Sequence, residues 1–150
     1  MIRDDIKAAT IAAMKAGQKD EVGTLRLVSA AIKNRDIEAR TGGAPKDDDA
    51  LVTEVLQKMV KQRRESADLY RKGNREDRAA AEEGEIAVIE RFLPAQMSDD
   101  EARAAIQAIV AETGASSMKD MGRVMALVKE RLGAAIEPAR ASALVKQQLS

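Results

Sequence analysis

Apolar residues recur along this chain at intervals of three and four, which is the period of helices with one buried face. The first two apolar stripes are Ile2, Ile6, Ala9 and Ala13, and then Leu25, Val28 and Ile32. Gly17 separates them, and Asp20 is placed to cap the second helix, whose charge comes from Arg26, Lys33, Arg35 and Arg40. The residues TGGAP at 41–45 then break the chain. The pattern predicts two helices before this loop.

The next apolar stripe predicts a long third helix, from about Asp49 to Lys72, and a fourth from about Arg75 to Arg91. The third helix buries Val52, Val55, Leu56, Met59 and Val60, and the fourth ends in Ile86, Ile89, Phe92 and Leu93. Pro94 stops the fourth helix. We expect a domain boundary there, with residues 1–94 before it and 95–150 after it.

The residues after Pro94 predict three shorter helices. Ser98 and Glu101 form a capping pair at the start of the first one, and Gly114 can end it in the left-handed conformation. Ser117 with Asp120 repeats the capping pattern before the second helix, whose apolar stripe is Met121, Val124, Met125, Val128 and Leu132. Pro138 is placed in the first turn of the last helix.

No run of alternating β-branched residues between turns is found, so the sequence carries no strand signal. Tyr70 and Phe92 are its only aromatic residues, and the core must therefore be built from aliphatic side chains, Met and Ala. We predict an all-α protein made of two small bundles, with four helices before Pro94 and three after it.

Composition narrows the possible functions. The chain has 25 basic and 25 acidic residues, no cysteine and no histidine, which excludes Ser-His-Asp and Cys-His catalysis and cysteine-type zinc sites. A net charge of zero argues against strong non-specific binding to DNA or another nucleic acid, although a local patch remains possible. No apolar run approaches the roughly 20 residues that span a bilayer. We expect no cofactor, no membrane association and a cytoplasmic location.

Three acids at 47–49 invite a metal-site hypothesis. The simpler interpretation is that they cap the third helix, because Asp is favoured at the N-cap and first turn, where the helix carries partial positive charge. The sequence therefore predicts no metal site there.

The second half of the third helix is the most basic segment, with seven bases and two acids from Lys58 to Arg75. The simpler interpretation is a solvated face whose bases meet acids of the fourth helix, namely Glu82, Glu83, Glu85 and Glu90. The alternative is contact with RNA phosphates, since bases along one side of a helix can follow a nucleic-acid backbone. Its candidate residues are Arg63, Arg64, Arg71 and Lys72.

The segment around Gly122 supplies a second candidate patch. Lys119 and Arg123 lie four residues apart, which would place them on one helical face near a helix start, where an anion is favoured. Gly122 costs a helix about 1 kcal/mol relative to Ala, so we expect a neighbouring helix or an RNA backbone to approach it. Ser116, Ser117 and Lys119 resemble a Ser-Lys catalytic pair, but an oxyanion hole and a desolvated lysine are missing, and helix capping explains the serines.

Several of these blocks, and above all DMGRVM at 120–125, resemble the GatB/YqeY family, whose members share a helical domain with the tail of the glutamine-dependent tRNA amidotransferase B subunit. The other matching blocks are GNRED at 73–77, LPAQ at 93–96, SDDE at 98–101 and GASS at 114–117. The resemblance covers essentially all 150 residues. One departure lies before the last helix, where GAAIEP at 133–138 replaces the Gly-Arg/Lys-x-Asp-Gly type of turn that is common in the family.

The resemblance implies a non-catalytic module that binds tRNA or a tRNA-handling enzyme, because the tail domain is the part of the amidotransferase associated with tRNA. A second hypothesis is an accessory role in amidotransferase chemistry, a carbon–nitrogen ligation that uses glutamine. That chemistry needs ATP and Mg²⁺, and the sequence has neither a phosphate-binding glycine loop nor a plausible metal cluster. A third hypothesis is a protein–protein adaptor that uses apolar helix faces.

Overall fold

The computed structural model describes the backbone of residues 1–150 and every side chain except that of Ala134. The described backbone is helical without a strand, which confirms the all-α prediction. The helices are α1 (Ile2–Lys15), α2 (Lys19–Ala39), α3 (Asp48–Lys72), α4 (Glu76–Glu90), α5 (Asp99–Thr113), α6 (Met121–Leu132) and α7 (Pro138–Leu149). Short 3₁₀ turns, Met118–Asp120 and Gly133–Ala135, flank α6. The chain divides into two compact units, Met1–Leu93 (unit 1) and Pro94–Ser150 (unit 2).

Unit 1 packs α1 to α4 around one aliphatic core. Its largest fully buried side chains include Ile6, Leu25, Val28, Val52, Leu56 and Ile89. The predicted stripe of α2 is confirmed, since Leu25, Val28 and Ile32 are at most 4% exposed. Phe92 and Leu93 are partly buried against the same cluster. The core lies on one side of α2, which leaves the opposite face of that helix in solvent.

The start of α2 differs from the prediction. Gly17 takes a left-handed conformation (φ +71°), and α2 begins only two residues later, with Gln18 at the N-cap and no side-chain cap. Asp20 is therefore already in the first helical turn, and its assignment as the cap was wrong. Its charge still lies at the positive end of the helix.

Unit 2 packs α5, α6 and α7 around a separate core. Its buried residues are Ala102, Ile106, Ile109, Val124, Val128, Ile136, Ala141, Leu144, Val145 and Leu149. Ser98 caps α5 as predicted, because its Oγ accepts a hydrogen bond from the N–H of Glu101 at 3.2 Å. Gly114 ends α5 with φ +68° and ψ +18°, which confirms the predicted left-handed cap.

The altered turn at 133–138 leads into α7 and is hydrogen-bonded to the segment before α5. The N–H of Met97, just before α5, donates to the carbonyl of Ala135 at 2.8 Å. Arg140 in α7 then donates to the carbonyl of Met97 at 2.7 Å, and Ile136 is only 2% exposed in the core. Pro138 occupies the first turn of α7 as predicted. This turn therefore fixes the chain entering α5 against the chain entering α7.

Candidate nucleic-acid interface

The bases of α3 are largely engaged by acids of α4. The Nε of Arg63 lies 2.8 Å from a carboxylate oxygen of Glu85, and the Arg63 side chain is only 15% exposed. Its Nη1 also donates to the carbonyl of Met59 at 3.3 Å. Arg64 forms a more exposed ion pair with Glu90 at 3.1 Å. Both arginines link neighbouring helices.

Arg71 continues this pattern at the end of α3. It forms ion pairs with Glu83 and, at 3.2 Å, with Glu76, and the carboxylates of Glu83 and then Glu76 raise its pKa. The simpler interpretation of the basic segment is thus confirmed for Arg63, Arg64 and Arg71. Lys72 differs, since it is exposed and has no ion pair among the described side chains. An RNA phosphate at α3 would have to displace an acid from each arginine.

The tail corner, which we define as residues 116–123, also differs from the prediction. Lys119 lies in the 3₁₀ turn and Arg123 in the first turn of α6, so the two bases do not belong to one α-helix, and their position on one face stays a prediction. The Nη2 of Arg123 lies 3.1 Å from Asp120, whereas Lys119 is exposed and has no ion pair within the described part of the chain. The corner presents one unpaired base and one base held by an acid.

Only the Asp120 half of the predicted capping pair is found at this corner. Ser117 makes no side-chain cap, and the carboxylate of Asp120 instead accepts the N–H of Ser116 at 3.1 Å. That hydrogen bond, with smaller contributions from Ser117 and Arg123, lowers the pKa of Asp120. Asp120 points back because the 3₁₀ turn brings its short side chain under Ser116. The carboxylate therefore stays ionised and close to Arg123.

Gly122 faces open space. A Cβ placed on it would meet no described atom within 4 Å, because α6 turns Val124 and Val128 into the core and Gly122 away from it. The expected approach of a neighbouring helix was wrong. Met121 and Met125 pack partly buried against the core, in keeping with their predicted spacing. The approach of an RNA backbone to Gly122 stays a prediction.

The three acids before α3 have structural partners. Asp47 caps the helix by accepting the N–H of Ala50 at 3.3 Å, and Asp49 accepts the N–H of Ile2 at 2.9 Å. Asp48 pairs with Arg3 at 2.8 Å. The capping interpretation is confirmed for Asp47. Among the described residues, no three Asp or Glu side chains are grouped so that they could hold a metal ion.

Arg3 joins three helices of unit 1. Besides Asp48 at the start of α3, it forms two hydrogen bonds with Asp36 of α2, at 2.8 and 3.0 Å. Hydrogen bonding to Arg3 is the main cause that lowers the pKa of Asp36. Arg3 thus compensates the negative charge of Asp36 within unit 1.

A further group of bases lies on the outer face of α2, and the sequence analysis named three of them only as charges of this helix and not as a candidate site. Four bases are spaced seven residues apart, and small or apolar residues alternate with them at intervals of three and four. We call this set the α2 basic stripe: Lys19, Gly23, Arg26, Ala30, Lys33, Ile37 and Arg40. All seven residues are exposed. The seven-residue spacing was the sequence signal that could have revealed it.

A cleft of about 610 Å³ lies between the end of α2, the 41–43 loop and α3. Arg35 in its wall is 18% exposed and pairs with Glu38 at 3.8 Å and Glu54 at 3.7 Å. Its Nη2 also donates to the carbonyl of Gly43 at 3.4 Å. These contacts connect the loop to both helices. Lys58 also lines the cleft, so that its two bases balance its two acids.

No helix in the described part of the chain is both long enough and apolar enough to cross a membrane. 

Comparison with known proteins places these features in a family. A family model described as "Yqey-like protein" matches residues 3–149. An uncharacterized protein of Schizosaccharomyces pombe is 32% identical over 94 residues, which make up 63% of this chain and 73% of that protein.

Two yeast proteins named altered inheritance of mitochondria protein 41, mitochondrial, are also similar. Those of Meyerozyma guilliermondii and Vanderwaltozyma polyspora are 38% and 33% identical over 92 and 94 residues. Each match covers 61% of this chain but only 44% and 46% of the relative. This chain therefore spans less than half the length of these two relatives.

Proposed function

This chain belongs to the YqeY-like protein family, and from that premise we propose that it is a non-catalytic module that binds tRNA or an enzyme that handles tRNA. The observation that carries the proposal is the family membership over residues 3–149, because the family is related to the C-terminal tail of the amidotransferase B subunit. A module that only binds tRNA or such an enzyme needs no catalytic residues of its own.

The tail corner offers physical support for the proposal. Lys119 is exposed and unpaired within the described residues, and Gly122 beside it leaves the α6 backbone open to solvent. A sugar-phosphate backbone can approach closely where no Cβ projects. Arg123 can exchange Asp120 for a phosphate, because an exposed ion pair contributes at most about 1 kcal/mol.

Binding of this kind should be weak and sensitive to salt. The whole chain has no net charge, so attraction to RNA depends on local groups of bases rather than on the overall field. Each phosphate contact adds about 0.7 to 0.9 to the slope of log affinity against log salt. The number of contacts can therefore be read from that slope.

The test is a titration of tRNA at several salt concentrations with wild type and with the Lys119→Gln/Arg123→Gln variant. We expect the slope to fall by at least about 0.7, the contribution of Lys119, and by up to about 1.8 when Arg123 also contacts phosphate. Lys129→Gln/Lys146→Gln is the matched control, since both lysines are exposed and lie in the same unit. Equal slopes for all three proteins would remove the tail corner as an RNA contact. Absence of wild-type binding at about 50 mM salt would contradict RNA binding itself.

A protein–protein adaptor is the second candidate, and exposed apolar side chains favour it. Ile11 and Met14 on α1 are 50% and 54% exposed, and Leu27 on α2 is 50% exposed. An apolar interface should survive about 0.5 M salt on an affinity column, whereas phosphate contacts should not. Retention under those conditions, after ribonuclease treatment, of a protein that does not act on tRNA would support the adaptor, whereas release of all bound protein would contradict it.

The location of the protein is a proposal as well. The sequence predicts a cytoplasmic protein, but two of its relatives carry the word mitochondrial in their names. Imaging of the tagged full-length protein in its own cells distinguishes the two locations.

A further inference from the structure

We propose that the α2 basic stripe is a docking surface for the phosphate backbone of RNA. This inference rests on the proposed function, since it adds a second RNA contact to that of the tail corner and places it in unit 1. The evidence comes from the pairing, spacing and composition of the stripe.

The four bases of the stripe lack ion pairs and side-chain hydrogen bonds among the described residues. They are Lys19, Arg26, Lys33 and Arg40. Arg40 is close enough to Asp36 to lower its pKa slightly, but the larger effect on that carboxylate comes from Arg3. The positive charge of the stripe is therefore available to an external anion.

Three of the four acids of α2 form ion pairs with bases that do not belong to the stripe. Glu21 pairs with Arg91, Asp36 with Arg3 and Glu38 with Arg35. By count α2 is nearly neutral, yet three of its four acids pair with bases outside the stripe, and Asp20, in the first turn, is the one acid of this helix without an ion pair among the described residues. This separation creates a local positive surface on a chain with no net charge.

The spacing suits a long, regular polyanion. A seven-residue interval corresponds to about 10.5 Å along a helix, so the stripe extends for roughly 30 Å. Gly23 and Ala30 between the bases have no side chain that projects far from the helix. An RNA backbone can therefore lie against the helix while the longer basic side chains reach its phosphates. A single small anion would use only one of these bases.

Composition argues against other occupants. A membrane-surface helix carries large apolar side chains opposite its bases, and a helical protein partner needs an apolar seam at the three-and-four spacing. Ile37, which is 48% exposed, is the only large apolar residue of the stripe. Basic residues occupy every second position of the stripe. Charge complementarity therefore favours a phosphate backbone.

The groove beside the stripe extends the positive surface. A cleft of about 400 Å³ separates α1 from α2, and Lys7 and Lys33 both line it. Asp4 and Asp36 line it too, but Asp36 is neutralised by Arg3. A backbone lying along α2 would thus meet Lys7 as a fifth base.

The test compares two full-length variants that each remove three exposed positive charges. Arg26→Gln/Lys33→Gln/Arg40→Gln changes the stripe, and Lys46→Gln/Lys129→Gln/Lys146→Gln changes exposed lysines outside it. Each is titrated with tRNA and with duplex DNA of similar charge over a range of salt. We expect the stripe variant to lose about two units of salt slope for tRNA, and the control variant to match wild type.

The outcomes separate this inference from the proposed function. If wild type binds tRNA and the stripe variant keeps the wild-type slope, the assignment of the stripe as an RNA-docking surface is overturned, while RNA binding by the protein stands. Equal losses in the stripe and control variants would also overturn it, because the effect would then be one of general charge. Equal binding of tRNA and DNA would overturn the assignment to RNA. No binding of tRNA by wild type would overturn the tRNA-binding form of the proposed function and, with it, this inference.

Discussion

Helices α2 and α3 carry their positive charge in opposite ways. The segment from Lys58 to Arg75, which begins in α3 and ends at the N-cap of α4, has seven bases and two acids. Its arginines Arg63, Arg64 and Arg71 are nevertheless bound by acids of α4. Helix α2 is almost balanced in number, but the bases of its outer face have no acid partner among the described residues. The difference shows that the number of charges in a segment does not measure the charge available for binding.

The cause lies in what each helix packs against. Helix α4 is rich in Glu and packs beside the second half of α3, so the bases there find acids at short range. The outer face of α2 lies opposite the core of unit 1, because Leu25, Val28 and Ile32 turn the other side of the helix towards that core. An unpartnered polar face keeps its charges free for ligands or solvent.

The largest expected effect separates the two faces of α2. Leu25 is fully buried, so Leu25→Ala should lower the free energy of unfolding by about 2 to 5 kcal/mol through lost burial and a residual cavity. Arg26→Gln, one residue along on the stripe, should change it by less than about 0.5 kcal/mol. Chemical denaturation of both variants measures the two values. Similar losses would mean that the outer face of α2 is packed rather than free.

Much of this architecture could be predicted from the sequence. The helical period identified the buried faces of α2, α3 and α6, and Gly114 and Ser98 marked the ends of α5 correctly, because local backbone chemistry decides such features. The errors at Asp20, Ser117 and Gly122 arose where a motif fits two registers or where a contact depends on neighbours.

The candidate sites were harder to predict for the same reason. The packing of α4 against α3 decides which bases of α3 meet an acid. The hydrogen bond from the N–H of Ser116 to the carboxylate of Asp120 likewise depends on a 3₁₀ turn. The stripe of α2 was readable in principle from its seven-residue spacing, but a charge count over the whole helix conceals it.

A smaller effect is expected at the helix pair α3 and α4. Arg63→Gln should destabilise the protein by about 1 kcal/mol, because it breaks a largely covered ion pair and leaves Glu85 without its partner. The salt slope for tRNA should not change. The double variant with Glu85→Gln closes a thermodynamic cycle, and a coupling energy near zero would show that the pair contributes nothing to stability.

The smallest effect concerns pH and the paired acid of α2. Because Arg3 lowers the pKa of Asp36 in the folded state, this carboxylate stabilises the fold above its unfolded pKa of about 4, and the contribution disappears as the pH falls through the lower folded value. The difference in Tm between wild type and Arg3→Gln should therefore shrink on acidification. Lys33→Gln, at an unpaired base, should show no such trend. A constant difference for Arg3→Gln down to about pH 2.5 would contradict a role for this ion pair.

The most direct test of the central claim, that pairing rather than charge number decides which bases bind RNA, compares the two helices in one assay. The salt slope of tRNA binding is measured for Arg26→Gln/Lys33→Gln/Arg40→Gln in α2 and for Arg64→Gln/Arg71→Gln/Lys72→Gln in α3. Each variant removes three positive charges. We predict that the α2 variant loses about two units of slope, and that the α3 variant loses no more than about 0.9, the contribution of Lys72 alone. An equal or larger loss in the α3 variant would contradict the claim.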